Sequence, residues 1–222
     1  DLERLTAFQR SNDIALYLQP GGDDSVHRLN DETRGLHYAI DDIRFEFGPN
    51  NFVQVNQAIN RQVVAAVIAL LELNDSDRVA DLYCGLGNFS LPMARRVHTV
   101  IGIEGSEPLV ELARINAAAN AIANAEFRAL DLSDPQAIGR IDFTQFNTLL
   151  LDPPRSGAEQ IFLSADLSTV EKIAYVSCNP VTMARDTQHI VNEHGLRLSH
   201  AGVMDMFPHT AHVESMAIFS RP

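Results

Sequence analysis

Residues 81–89 read Asp81-Leu82-Tyr83-Cys84-Gly85-Leu86-Gly87-Asn88-Phe89, and they close a short apolar run that begins at Arg78. A strand ending in two glycines one residue apart lets the backbone turn tightly and lets a ligand approach it closely. Glu104 stands 23 residues after Asp81, at the end of the next apolar run, Thr99–Ile103. A carboxylate at that spacing can accept hydrogen bonds from both hydroxyls of a ribose. A cofactor containing a nucleoside is therefore expected. The dinucleotide fingerprint asks for a third glycine where Ser90 stands, and no basic residue in the turn greets a pyrophosphate. S-adenosylmethionine fits this turn better than a nicotinamide dinucleotide does. The plainer alternative is a purely structural strand-to-helix turn, and the companion Glu104 argues against it.

Outward from this turn the chain alternates strand and helix signals. Upstream, a helix is predicted from Asn60, with Val63, Val64, Val67, Leu70 and Leu71 on one stripe. Downstream come a helix over 88–96, a strand over 99–103, a helix over 106–121 and a strand over 126–130. Strands over 147–151 and 172–177 follow, then a helix over 181–194. Two last strands, 196–205 and 212–220, are joined by a turn at Pro208. The alternation predicts a parallel sheet with crossover helices, and the closing pair makes one edge antiparallel. In such sheets ligands sit beyond the carboxyl ends of the strands, where Gly85, Glu104, Asp131, Asp152 and Cys178 fall.

The first 50 residues read differently. Residues 2–18 mix helical and extended signals, Pro20–Asp24 is a turn, and 35–47 alternates like strands. The expected division is a small β-containing remnant of a central domain over 1–50, and a catalytic domain over 51–222.

Composition sets further bounds. Of 222 residues, 45% are hydrophobic and 21% charged, enough apolar material for a core without disulfide or metal staples. No apolar run is long enough to span a membrane. The chain opens Asp1-Leu2-Glu3-Arg4 without methionine, so the lack of a leader carries little weight. Seventeen basic residues against 29 acidic leave a net charge of −12, not the basic footprint of a nucleic-acid binder. Two distant cysteines, Cys84 and Cys178, cannot form a disulfide framework or a four-thiolate metal site, and a reducing cytoplasm is the simplest compartment.

Three further stretches carry chemistry. In Asp152-Pro153-Pro154-Arg155 two prolines stiffen the turn after a buried strand and aim Asp152 at the cleft, where it could accept an N–H; a turn-forming Asp is the common alternative. In Ser177-Cys178-Asn179-Pro180, Asn179 caps a helix that starts at Pro180. A thiol just before that helix has its thiolate favoured by the dipole, which makes Cys178 a candidate nucleophile. Cys84 is better explained as packing. In the last strand Glu214 neighbours Val213, and it is either a general base or a solvated edge residue. His209 and His212 have no third ligand at motif spacing, so no metal site is expected.

Taken together, these residues resemble a known family. The stretches Phe52-x-Gln54-x-Asn56, Asp81–Phe89, Gly102-Ile103-Glu104-Gly105, Leu151–Arg155, Val176–Pro180 and Asp205–Ser215 are similar to those of RNA uracil-C5-methyltransferases. Within them the likeness is greatest to bacterial enzymes acting on 23S ribosomal RNA that carry an iron–sulfur cluster. It runs from about Phe45 to the C-terminus. It implies an α/β, Rossmann-like class I methyltransferase fold, a mostly parallel seven-stranded sheet with an antiparallel last strand. It implies S-adenosylmethionine as methyl donor and a flipped uridine of ribosomal RNA as substrate. Cys178 would attack uracil C6, Glu214 would remove the C5 proton, and Asp152 would position the base. Gln54, Tyr83, Gly85, Asn88, Glu104, Asp131 and Asp152 would hold the cofactor.

The family's N-terminal RNA-binding domain and its four cluster cysteines have no counterpart here. The chain thus reads as a C-terminal catalytic fragment, with iron–sulfur cluster and basic footprint expected upstream. Other readings are a transfer-RNA enzyme, an amino-group methyltransferase, or a cofactor-binding module without catalysis of its own. No protein partner is inferable.

Overall fold

The structure, a computed structural model, describes residues 1–31 and 35–222 and divides into two compact units. The smaller comprises 1–38 with 46–53, the larger 39–45 with 54–222. In the smaller unit, helix α1 (Leu2–Asn12) settles the mixed signals of that stretch and stops where Asp13 turns left-handed, φ 51°. Buried Gln9 donates to Asn30 Oδ1 at 2.8 Å and accepts from Leu16 N at 3.2 Å. Strands β1 (Tyr17–Leu18) and β2 (His27–Arg28) pair antiparallel around the expected turn. Strands β3 (Leu36–Ile40) and β4 (Ile43–Phe47) make a hairpin with Asp41 at φ 50°. The turn end of that hairpin counts with the larger unit.

The larger unit opens with α2 (Gln57–Leu70), whose start is earlier than the apolar stripe suggests because Asn56 caps it, accepting from Ile59 N at 3.2 Å. There follow β5 (Arg78–Leu82), α3 (Ser90–Ala94), β6 (Thr99–Glu104), α4 (Glu107–Ala119), β7 (Ala125–Ala129), α5 (Pro135–Ile138) and β8 (Thr148–Leu151). Then come α6 (Glu159–Ser164), β9 (Lys172–Ser177), α7 (Pro180–Asn192), β10 (Arg197–Met204) and β11 (Glu214–Ser220). Helix α3 is shorter than the predicted 88–96 because the glycine turn extends to Phe89. The short helices α5 and α6 lie where the sequence showed no period. The last strand begins at Glu214 rather than 212, since 205–213 forms a loop.

Seven strands form one sheet in the order β10-β11-β9-β8-β5-β6-β7. Strands β5 to β9 pair parallel, while β11 is antiparallel to both β9 and β10. The reversed strand lies second from the edge, so the closing pair makes that edge antiparallel, as expected. The apolar run Leu149-Leu150-Leu151 of central β8 is fully buried, as befits a strand covered on both faces. Phe143, Phe146, Phe162 and Tyr175 fill one side of it. On β6, a side chain at Gly102 would come within 2.5 Å of Phe127 and 2.9 Å of Cys84 Sγ, so glycine there is what lets both pack. Buried Cys84 is a core residue.

Candidate active site

The chain leaves β5 toward β6 on one side, and β8 flanks β5 on the other. Such a reversal of strand order opens a crevice at the carboxyl ends, the usual ligand position in open α/β sheets. All the residues singled out for function belong to the larger unit, and most stand at this end.

On the β5–β6 side the backbone makes a cradle. Tyr83 at φ 63°, Gly85 at φ 54° and Gly87 at φ 94° all take left-handed conformations. For Tyr83 that conformation is costly, and such strain is found where a site needs a particular backbone course. A side chain added at Gly85 would meet nothing within 4 Å, so the turn faces open space. Glu104 accepts from Gly85 N at 3.2 Å through one oxygen and from Ser106 N at 3.0 Å through the other. The carboxylate is thereby fixed with lone pairs left over. Asn88 exchanges two amide bonds with buried Asn60, at 2.9 and 3.0 Å. Gln54, in the loop before α2, has a buried Oε1 with no hydrogen-bond partner among the described residues. An orphaned acceptor of this kind is rare and suits a ligand's N–H. Tyr83 Oη reaches Leu132 O at 3.5 Å. Burial first, then the charges of Asp186, Asp131 and Glu104, push its phenol up to about 12. Asp131 is exposed and folds back onto Ser133, accepting from its hydroxyl at 2.6 Å and its N–H at 2.8 Å, which lowers its carboxyl below the usual range. These residues fit a nucleoside cofactor: an open turn, an oriented carboxylate and an unpartnered acceptor.

On the β8–β9–β11 side lie the acids and the thiol. Asp152 follows β8 directly, its N–H bonded to Leu82 O at 3.3 Å. Burial, then Glu214, then Asp81 raise its carboxyl to about 8. Asp81 is itself buried, accepts from the Ser90 hydroxyl, leaves Oδ1 without a partner among the described residues and is raised to about 7, chiefly by burial. The sequence reading left Asp81 off the candidate set, although an acid inside an apolar strand is the signal that singled out Glu214. Cys178 is half-buried after β9. Antiparallel pairing sets Ser215 opposite Ser177, and the same register carries Glu214 across from Cys178. Glu214 is only 5% exposed and sits on an interior strand, which excludes the solvated-edge reading. Burial raises its carboxyl, and Arg155 opposes the rise.

The dipole expectation for Cys178 is corrected. Its thiol lies above its ordinary value, raised by burial and by Glu214 and Asp152 against the pull of Arg155. Two of the first helical positions have no free N–H to stabilise a thiolate: Pro180 lacks one, and Val181 N is taken by Asn179 Oδ1 at 3.1 Å.

A network invisible in the sequence holds the Pro-Pro loop against α7. Asn179 Nδ2 donates to Arg155 O at 2.9 Å, and Arg185 Nη2 to Ser156 O at 3.0 Å. Fully buried Asp186 accepts from Ala158 N at 2.7 Å and from the Tyr175 hydroxyl at 2.6 Å, and pairs with Arg185 at 2.6 Å. Gly157, at φ 82°, leaves no room for a side chain beside Asp186 and Arg185. Among the described residues no group of three or more His, Cys, Asp and Glu could hold a metal ion, and no helix is long and apolar enough to cross a membrane.

Comparison with known proteins gives the same direction. Residues 29–221 match the sequence model of the family described as tRNA (uracil-5-)-methyltransferase. The chain is 48% identical over its whole length to the 23S rRNA (uracil(1939)-C(5))-methyltransferase RlmD of Legionella pneumophila (strain Lens). It is 47% identical to that of Xanthomonas campestris pv. campestris (strain 8004). The chain spans about half the length of these curated relatives, 51% and 50%. Among solved structures, the Pyrococcus abyssi tRNA (uracil-54, C5)-methyltransferase in complex with S-adenosyl-L-homocysteine superposes with a TM-score of 0.76 at 28% identity, over 92% of this chain and 50% of that one. An RNA methyltransferase from Salinibacter ruber shares the fold alone, with a TM-score of 0.51 at 18% identity, over 73% of this chain and 92% of that one. The crevice at the strand reversal, the glycine cradle and the family match across 29–221 lead to one statement: this chain belongs to the tRNA (uracil-5-)-methyltransferase family.

Proposed function

We propose that this chain is the catalytic part of a cytoplasmic S-adenosylmethionine-dependent methyltransferase that modifies C5 of a uridine in 23S ribosomal RNA. The observation that carries the reading is the strand register that faces Glu214 toward Cys178, with Asp152 beside them. Gln54, Tyr83, Gly85, Asn88, Glu104, Asp131 and Asp152 would hold the cofactor. Bound S-adenosylmethionine supplies an electrophilic methyl group to C5.

The chain's own residues do the rest. Uracil C5 is a weak nucleophile until C6 is saturated, which is why a thiol is needed. The target base leaves its stack to reach the thiol. Cys178 loses its proton to solvent as it forms the S–C6 bond, and the C5=C6 electron pair moves onto C5 and O4. Asp152 keeps its proton at neutral pH and offers that O–H to the base, where charge gathers. Once C5 carries the methyl group, Glu214 takes the C5 proton, the C5=C6 bond re-forms and the thiolate of Cys178 leaves. Burial of Glu214 favours its protonated form, so accepting a proton there restores the neutral site.

Residues 1–50 are proposed to be the remnant of a central β-containing domain, with the RNA-binding domain and the iron–sulfur cluster further upstream. A transfer-RNA substrate is the second reading. It draws on the wording of the family description and on the Pyrococcus abyssi neighbour, but identity to that protein is 28%, against 48% to the 23S enzyme.

The test is intact mass after incubation with S-adenosylmethionine and 23S RNA fragments containing 5-fluorouridine. Fluorine cannot leave as a proton, so the adduct is trapped. A covalent complex lost in Cys178→Ala supports the reading. Methylation that survives Cys178→Ala overturns it. Transfer-RNA fragments run in parallel distinguish the two substrates.

A further inference from the structure

Beside Cys178 lies a cleft of about 420 Å³, lined among others by Arg155, Asn179, Ala211, His212 and Val213. Among the described residues Arg155 is the only lysine or arginine that lines it. Its guanidinium donates to His212 Nδ1 at 2.7 Å. That contact makes Nδ1 an acceptor and leaves the ring proton on Nε2, a second donor at the cleft. No carboxylate pairs with Arg155 among the described residues, although the chain carries twelve net negative charges. Among the described residues only one of its five N–H donors is spent on protein.

This cation is held at both ends. Its carbonyl is fixed by Asn179 at 2.9 Å and by the Thr182 hydroxyl at 3.3 Å. Its guanidinium is fixed by His212, which is positioned in turn by a folded loop. There Thr210 Oγ1 donates to Phe207 O at 2.8 Å and accepts from His212 N at 3.1 Å. His209 turns left-handed at φ 66°, and Phe207 packs edge-on to the His212 ring at 5.8 Å. An exposed arginine usually wanders. One oriented by a histidine, with no carboxylate in ion-pair contact among the described residues and only the longer-range field of Glu214 on it, is built to meet an anion.

We propose that Arg155 and His212 form the subsite for one phosphodiester flanking the target uridine. The inference rests on the reading of the chain as a uridine methyltransferase. Guanidinium matches phosphate in a planar fork, and RNA brings such a group one ribose away from the base that Cys178 would attack. The carboxylate of the cofactor is the poorer candidate, because Gly85, Asn88 and Glu104 do not line this cleft. Arg155 is then a binding residue rather than a group acting on the reacting bond.

The test pairs protein variants with RNA variants. Short RNAs carry the target uridine with either its 5′ or its 3′ phosphodiester replaced by an uncharged methylphosphonate. Methylation kinetics are measured for wild type, Arg155→Gln, His212→Ala and His212→Asn, with folding checked by thermal melting. Arg155→Gln is expected to raise KM at least tenfold and to lower kcat less than threefold. At one of the two positions the methylphosphonate should weaken wild type but cost Arg155→Gln nothing further. His212→Ala should show a smaller rise in KM, partly restored by Asn, whose side-chain carbonyl can accept the guanidinium N–H. Penalties that simply add at both positions overturn the subsite, as does a loss confined to kcat, which would place Arg155 on the thiolate or the enolate instead. Failure of wild type to methylate any unmodified RNA, both as this chain and within the full-length protein, removes the parent reading, a result distinct from additive penalties.

Discussion

Ser215 donates its hydroxyl to the carbonyl of Ser177 at 3.0 Å, and the two stand opposite each other in antiparallel register. The bond locks the start of β11 to the end of β9. A one-residue slip would turn Glu214 to the other face of the sheet and away from Cys178. Functional acids normally collect at carboxyl ends of parallel strands. Here an acid at an amino end reaches the same crevice because its strand runs backwards.

Glu214→Gln should leave attack on C6 and methyl transfer possible while removing the acceptor for the C5 proton. The expected outcome is a methylated covalent RNA–protein complex that accumulates with ordinary uridine, visible by intact mass. Normal turnover in this variant would assign the base elsewhere.

The thiols should differ in reactivity. Cys178 is half-buried with its pKa above the usual value of 9.0, and Cys84 is buried with its pKa well above that value. Iodoacetamide should therefore label Cys178 slowly at pH 7 and faster as pH rises past 9, with Cys84 inert until unfolding. A plateau of Cys178 labelling near pH 7 would show a preformed thiolate and contradict the charge balance described above.

Asp81 and Asp152 hold their protons in the folded state up to about 7 and about 8, against an ordinary 3.8. Between about pH 4 and pH 8 the folded chain binds more protons than the unfolded one. These groups therefore stabilise the fold most below about pH 4, and that contribution is lost as pH rises toward 8. Melting temperature should fall between pH 6 and pH 9, and Asp152→Asn should shrink the fall. An equal fall in the variant would remove Asp152 from the account.

Asp186→Ala strands the Tyr175 hydroxyl, the Ala158 N–H and one side of Arg185. A loss of about 3 kcal/mol is expected in urea unfolding, since removing one partner of a buried ionic network leaves the others unpaired. Tyr175→Phe should cost about 2 kcal/mol, the scale of a hydrogen bond to a charged group. A loss under 0.5 kcal/mol for Asp186→Ala would mean the loop is held by other contacts.

Gly102→Ala puts a methyl group against Phe127 and Cys84, and overpacking of this kind costs about 1–3 kcal/mol. Phe127→Leu in the same chain should recover part of it, read by thermal melting. Additive destabilisation would locate the strain elsewhere.

Strand existence was legible wherever an apolar run ended in a turn signal, as at Leu82, Glu104, Leu151 and Ser177. Helix edges were less so: α2 starts at Gln57 behind its Asn56 cap, three residues before the predicted start at Asn60, and α3 is cut short by the glycine turn. The short helices α5 and α6 were missed because four and six residues show too little period. Arg155 and His212 were quoted as parts of motifs, but 57 residues separate them, and nothing local announces their bond. Asp186 lies inside the predicted helix 181–194 with nothing local to mark it, and only its burial reveals a partner set.

By itself the sequence determined the element types, the glycine cradle and the chemical identity of the candidate groups, because these follow from local backbone freedom, periodicity and side-chain chemistry. Only the tertiary structure decided strand order, the insertion of β11 beside β9, and the balance of burial and charge at Cys178. Strand pairing joins residues far apart in the chain, and the charged form of a group is set by all the atoms around it, not by its neighbours in sequence.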